Sequence, residues 1–351
     1  MREGIKMEKA NINWEELGFK YQKVDKVYIS HYKDGKWDDG LLQDDDKISI
    51  SISATSLHYG QQCFEGLKAY STKNGDIQLF RPDMNAKRLQ KSCKRILMPE
   101  VPVDKFIDAC LKVVEANERF VPPYGSGATF YLRPFVIGSG DNIGSGPASE
   151  YIFCVFGIPV GPYFKGGFKP VKMTTAKYDR AAMLGTGGVK VGGNYACGML
   201  PHQIAVEEGF ADCIYLDPET HTKIEEAGTS NFFGITKDNK FITPDSPSIL
   251  PSITRNSLLT VARDYLGMEA IEGEIKIDEI DKFDEVGACG TAAVITPIGS
   301  ITYNGNKHIF YSEEEAGPKV TKLYETLYKI QFGDIEAPEG WIVKLEKEYS
   351  K

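Results

Sequence analysis

Residues 185–198 read GTGGVKVGGNYACG. Five glycines crowd around Lys190, and a sixth, Gly198, closes the stretch. Glycine loses more freedom on folding than any other residue. A run this dense therefore marks a place where the backbone is closely approached or takes unusual dihedrals. Lys190 is the one formal charge between Ala181 and Val206, and a valine flanks it on each side. Three readings of this lysine compete. A phosphate-cradling nucleotide loop needs GxxxxGK followed by Ser or Thr, and Val189 and Val191 break that pattern on both sides. A surface lysine on a flexible loop is the ordinary reading of any lysine taken singly. The third is an amine that forms a Schiff base, which needs apolar or cationic surroundings to lower its pKa. The valines supply the apolar setting, and the glycines would let a flat ring lie against the backbone.

Outward from this stretch the chain divides. At 351 residues it exceeds what one compact core usually holds. Residues 1–160 predict a small mixed α/β domain, 161–175 an interdomain loop and 176–351 a larger C-terminal domain. On the N-terminal side, VYISHYKDGKW carries a DG turn between strand-forming residues, and LKAYSTKNGDIQLF repeats the device with Asn74-Gly75. KISISISATSLHYG alternates with period two at Ile48, Ile50 and Ile52 and predicts a strand. Helices are predicted from about Asp83 and after Asp104, followed by strands in GATFYLRPFVIGSG and YIFCVFGIPV. GPYFKGGFKP, residues 161–170, has the composition of a linker. On the C-terminal side come a helix through Gln203–Glu208, strands in CIYLD and EEAGTSNFFGI, a helix from Thr254 to Leu266 ended by Gly267, and a last helix opening at Pro318.

The charge balance narrows the partners. Acids outnumber bases 49 to 41, and a net charge of −8 argues against nucleic acid. No run approaches the ~20 apolar residues of a membrane span, and MREGIKMEKANINWEELGF has no apolar h-region. No two of the seven cysteines are three apart, so neither a zinc knuckle nor a CxxC motif is present. No metal site is expected, and the thiols suit a reducing cytoplasm.

A Schiff-base lysine raises the question of pyridoxal phosphate. That cofactor needs a dianion site, a carboxylate for its ring nitrogen and a donor for its phenolate oxygen. In ILPSITRNSLL, a turn running into a helix leaves the amides of Ile253 and Thr254 unpaired, and the helix dipole favours an anion there. GTAA, residues 290–293, adds the Thr291 hydroxyl. Plain helix capping explains SITR equally well when it is read alone.

GGVKVGGNY, EEAGTSN, LPSITR and GTAA, preceded by YGQQCFEGLKAY, LFRP and YLRP, resemble the motifs of fold-type IV pyridoxal-phosphate enzymes in order and distance. Together they resemble a branched-chain amino acid aminotransferase, from about Tyr59 to the last helix. The resemblance implies an α+β fold of two domains, the larger a pseudo-barrel, and a cytoplasmic homodimer that closes its pocket with partner residues. It implies that Lys190 holds the cofactor and shuttles the proton, and that Glu226 pairs with the ring nitrogen. Tyr195 would donate to the phenolate oxygen. Arg81, Thr229, Ile253, Thr254 and Thr291 would complete the cofactor site. Tyr59, Phe64, Tyr131, Tyr163, Thr291 and Ala292 would surround the substrate, with Arg133 supporting the tyrosines or taking a side-chain carboxylate. Leucine, isoleucine and valine would pass their amino groups to 2-oxoglutarate, giving glutamate.

Some relatives carry a CxxC pair just after the GTA turn. Here those positions are Ala293 and Thr296, so redox control of that kind is not expected. A D-amino acid aminotransferase or an aminodeoxychorismate lyase shares the fold and remains a rival. So does a non-catalytic binder, against which the intact Lys190, Glu226 and Tyr195 set counts. A cofactor-free lysine aldolase is a weaker rival still, having no use for a phosphate cup.

Overall fold

The structure, a computed structural model, describes residues 8–161 and 167–346. Two compact units emerge, Met1–Tyr163 together with Ile330–Lys351, and Phe164–Lys329.

The first unit is built on two ten-residue strands, Thr129–Gly138 and Tyr151–Val160, paired antiparallel along their whole length. Leu67–Ser71 and Val27–Lys33 flank them. Strict alternation sorts the sheet's two faces. Phe130, Leu132, Val136, Phe153 and Val155 are all fully buried. They share one face, and the helices Pro82–Arg95 and Val103–Ala116 turn their apolar stripes to the core with Leu89, Phe106, Cys110 and Val114 buried. Phe106 stacks on Phe153 at a centroid distance of 6.2 Å. Phe64, Tyr131, Arg133, Phe135 and Phe156 fall on the other face by register.

Both hairpin signals form. Asp34 and Gly35 take φ of 52° and 81°, the left-handed pair that a two-residue hairpin turn requires. The Ile48–Ile52 alternation does not become a strand. Ile48 and Ile50 pack on the cluster of Val27, Ile29, Ile137, Ile152 and Cys154, while Ile52 is 90% exposed. Alternation records which side chains face inward, but a strand also needs an open edge. That edge of Val27–Lys33 is already paired with Leu41–Gln43.

In the second unit six strands close a ring, in the order Ile224–Ala227, Asp212–Leu216, Val171–Thr175, Val294–Tyr303, Phe283–Gly290 and Ser230–Thr236, the last returning to the first. Met173, Ile214, Phe232, Phe283, Ile298 and Ile301 fill it. The α+β class and the barrel are as expected, and the departures are local. The predicted loop 161–175 already contains the strand Val171–Thr175, held by parallel neighbours on both sides. EEAGTSNFFGI is two strands joined at Gly228 and Thr229, with Gly228 at φ 58°. The helix expected at Gln203 starts at Gly192, eleven residues earlier in number. The chain's end, expected in the second domain, belongs with the first unit: Ile342–Lys344 pairs with Ile77–Phe80, and Trp341 accepts the Arg81 amide at 2.7 Å.

Candidate active site

Lys190 sits between two buried valines, Val189 and Val191. Its Nζ donates to the Tyr195 hydroxyl at 2.5 Å, because Tyr195 lies in the first turns of the helix Gly192–Glu207 that begins two residues after the lysine. Asn194 ties the loop to that helix. Its side chain donates to the carbonyls of Thr186 and Val189 at 2.7 and 3.0 Å and accepts from the Thr186 hydroxyl at 2.8 Å.

Of the two reasons for dense glycine that the sequence offers, close approach is the one found here. None of those at 185–198 has a positive φ. A Cβ on Gly187 would lie 2.1 Å from the Ser248 carbonyl oxygen, and one on Gly188 would lie 2.6 Å from that of Pro247. The Lys190 loop is seated on the backbone of another segment, and two glycines are needed for that approach.

The same segment fixes Glu226. The Leu250 amide donates to Glu226 Oε1 at 2.8 Å, and Leu250's carbonyl accepts from Asn231, the cross-strand partner of Glu226, at 3.0 Å. Arg180 places its Nε 3.2 Å from Glu226 Oε2, with both side chains buried. The Nε–H is not aligned for a hydrogen bond and keeps no acceptor. Arg180 also donates through Nη2 to the Ser248 carbonyl. Burial pushes the Glu226 pKa up, and Arg180, the Leu250 amide and Lys190 pull it back towards the ionised form. Glu225 faces the other way, as neighbours on a strand must, and takes the hydroxyls of Ser246 and Ser248.

Ser252 caps the helix Ile253–Thr260, accepting the Arg255 amide at 3.1 Å, while its carbonyl takes the Asn256 amide. The Ile253 and Thr254 amides precede the first intrahelical bond, three residues beyond Leu250. Register sets Gly290 opposite Ser230 and so brings the Thr291–Ala293 turn to the sheet end that carries Gly228 and Thr229. Thr229 is exposed, and Thr291 and Ala292 are half-buried. Val294, which closes this turn, has φ 65°.

The remaining predicted residues lie in the first unit. Arg81 opens the helix Pro82–Arg95 at φ 49°, with its guanidinium 4.5 Å over the Trp341 ring, and burial lowers its pKa. Arg133 donates to the Tyr131 hydroxyl at 3.0 Å and lies 4.8 Å over the Phe64 ring, while its Nε is buried without an acceptor. Tyr131 needs Gly66 beside it, where a Cβ would come within 2.1 Å of the hydroxyl. Tyr59 is exposed and donates to the Ile143 carbonyl at 2.5 Å. Tyr163 lies outside the described residues. Sequence reasoning missed Arg180, Asn194 and Asn231. It also missed Lys68, a buried amine directly across from Tyr131 whose pKa burial lowers to about 8. Arg180 had one signal, a lone arginine ten residues before the lysine at the edge of a charge-free run.

The second unit thus carries Lys190 with Tyr195, the buried Glu226 carboxylate and the N-terminus of the helix Ile253–Thr260. The amino-transferase class IV model matches residues 62–301. The branched-chain-amino-acid aminotransferase of Haemophilus influenzae is 62% identical over 341 residues, covering 96% of this chain and 99% of that protein. The solved Escherichia coli branched-chain amino acid aminotransferase superposes with a TM-score of 0.78 at 25% identity, over 92% of this chain and all of that one. The Thermobaculum terrenum enzyme, solved in its PLP form, shares the fold at TM-score 0.79 and 23% identity, over 93% of this chain and 100% of that one. The chain belongs to the class IV aminotransferases and, within them, to the branched-chain amino acid aminotransferases.

Proposed function

We propose that this chain binds pyridoxal 5'-phosphate on Lys190 and moves the amino group of leucine, isoleucine or valine to 2-oxoglutarate. The observation that carries the reading is the Lys190 Nζ–Tyr195 contact in the unit where Glu226 is buried against Arg180. The residues present fit the cofactor. Glu226, its pKa raised by burial and partly drawn back by Arg180 and the Leu250 amide, suits a protonated ring nitrogen. Ile253, Thr254, Thr291 and Thr229 offer amides and hydroxyls for a phosphate.

When bound, the cofactor supplies an electron sink that stabilises charge at the substrate Cα. Lys190, in a loop between two buried valines, would then hold and move the proton at that carbon through its Nζ. Tyr195 presents its hydroxyl to the same nitrogen and orients it. Thr291 and Ala292 bind the substrate's α-carboxylate, and Tyr59, Phe64, Tyr131 and Tyr163 take its side chain. Arg133, with an unsatisfied buried Nε–H, takes the second carboxylate of 2-oxoglutarate. Apolar pockets separate chains differing by one methylene only roughly 10- to 200-fold, so all three branched substrates turn over.

The working form is a cytoplasmic homodimer. Free thiols at all seven cysteines support the compartment. Exposed Ile52, Leu57, Tyr59 and Ile143, the last two joined by a hydrogen bond, support a covered surface. Among the described residues, no helix is long and apolar enough to cross a membrane.

Supplying L-leucine, D-alanine and aminodeoxychorismate separately to the purified protein tests the reading. Turnover of leucine with 2-oxoglutarate is expected, and turnover of only one of the other two would contradict it.

A further inference from the structure

The Lys190 loop and the Glu226 carboxylate depend on one short piece of chain, residues 246–250. Its Ser248 and Pro247 carbonyls lie against Gly187 and Gly188 respectively, its Ser248 carbonyl accepts from Arg180, and its Leu250 amide donates to Glu226. Something must hold that piece. Ser246 donates to Glu225 Oε1 at 2.8 Å, and Ser248 donates to the same oxygen. The two hydroxyls lie 2.9 Å apart, and the Ser248 amide donates to the Ser246 hydroxyl at 3.3 Å. Ser248 is fully buried and Glu225 is 2% exposed. Among the described residues no cation forms an ion pair with Glu225. A buried carboxylate without an ion-pair partner relies on its hydrogen bonds to offset desolvation, which ties Glu225 to the two serine hydroxyls.

We infer that Glu225 is a positioning residue for the reaction: through Ser246 and Ser248 it fixes the segment that seats the Lys190 loop and orients Arg180 and Leu250 around Glu226. Strand alternation makes the division of labour possible. Glu226 faces the cofactor side, and Glu225 reaches the same segment from the opposite face of the strand. This inference rests on the assignment of Lys190 to the cofactor.

The test compares Glu225→Ala, Glu225→Gln and Ser248→Ala in cofactor-loaded protein. The readouts are the pH midpoint of the visible band of the lysine-bound cofactor and the kcat and KM for leucine. Glu225→Ala is expected to move the midpoint by at least ~0.5 pH, through changed charge and hydrogen bonding at the site. The same variant should lower kcat about tenfold, equivalent to ~1.4 kcal/mol of transition-state stabilisation, with KM nearly unchanged. Glu225→Gln keeps an oxygen that accepts a hydroxyl and should stay within about threefold of wild type. Ser248→Ala should shift the midpoint in the same direction as Glu225→Ala, and it carries the test if Glu225→Ala does not fold. A wild-type midpoint and kcat in Glu225→Ala would overturn the role, as would a fall in thermal stability alone or a Glu225→Gln as damaged as the alanine variant. If the wild-type protein shows no visible band at all, the Lys190 assignment fails first, so the two failures are told apart.

Discussion

Glu226 is a carboxylate that burial pushes towards the neutral form while Arg180, the Leu250 amide and Lys190 pull it back. That balance suits a group that must meet a protonated ring nitrogen, because the cofactor's own charge replaces the missing water. Removing it by Glu226→Ala should leave cofactor bound through Lys190 yet lower kcat by at least ~100-fold, the scale of losing one preorganised charge. Steady-state rates with a visible spectrum on the same sample check this, and full activity would show that the wrong carboxylate was chosen.

Lys68 offers a second, purely thermodynamic test. Burial lowers its pKa from 10.5 to about 8, so folding favours the neutral amine. Below pH ~8 the ammonium is present in both folded and unfolded chains, and the folded state bears the whole cost. Between about 8 and 10.5 the folded protein sheds the proton first, and stability rises with pH until the cost is gone. Lys68→Met should therefore stabilise the protein by up to ~3 kcal/mol at pH 7, at ~1.4 kcal/mol per tenfold. Urea unfolding should show that gain shrinking from pH ~8 and gone above pH ~10.5, and a gain independent of pH would contradict the burial argument. Glu226 and Lys190 could be placed by motif, but Arg180, Asn231 and the environment of Lys68 depend on partners far away in sequence.

Among the elements, the glycine loop was legible as a place of close backbone approach, but the partner that approaches it was not. Its close approach is to residues 247–248, and nothing local in GTGGVKV names that partner. The distinction has a consequence. Gly187→Ala would set a Cβ 2.1 Å from a carbonyl oxygen, whereas Gly193→Ala meets nothing within 4 Å. The first should cost about 1–3 kcal/mol, as overpacking does, and weaken cofactor binding by displacing Lys190. The second should stay within ~0.5 kcal/mol of wild type in stability. Thermal melts and cofactor titration of both variants check the pair, and equal behaviour would contradict the seating. Turn chemistry was the most readable part of the sequence, because Asp34-Gly35 and Gly75 carry their dihedral requirement in the residue itself. The Ile48–Ile52 segment was the least, since its alternation is satisfied by packing on a sheet face without any ladder.

For the whole molecule, two units and a barrel could be expected from length, punctuation and resemblance. The parallel pairing of Val171–Thr175 with Val294–Tyr303 within the ring, and the return of Ile342–Lys344 to the first unit, are long-range pairings that local pattern does not encode. Assembly belongs at this scale too. Ile143 is 75% exposed beside Tyr59. Ile143→Asp should shift sedimentation from dimer towards monomer, and a wild-type profile that is already monomeric would remove the basis for the homodimer.

The most direct test of the central claim is to reduce the native, cofactor-loaded protein with borohydride, which fixes the nitrogen–carbon link permanently, and to map the modified peptide by mass spectrometry. The phosphopyridoxyl group should be found on Lys190, in the peptide containing GTGGVKVGGNY. Its appearance on any other lysine, Lys68 included, or its absence from the protein, would contradict the account.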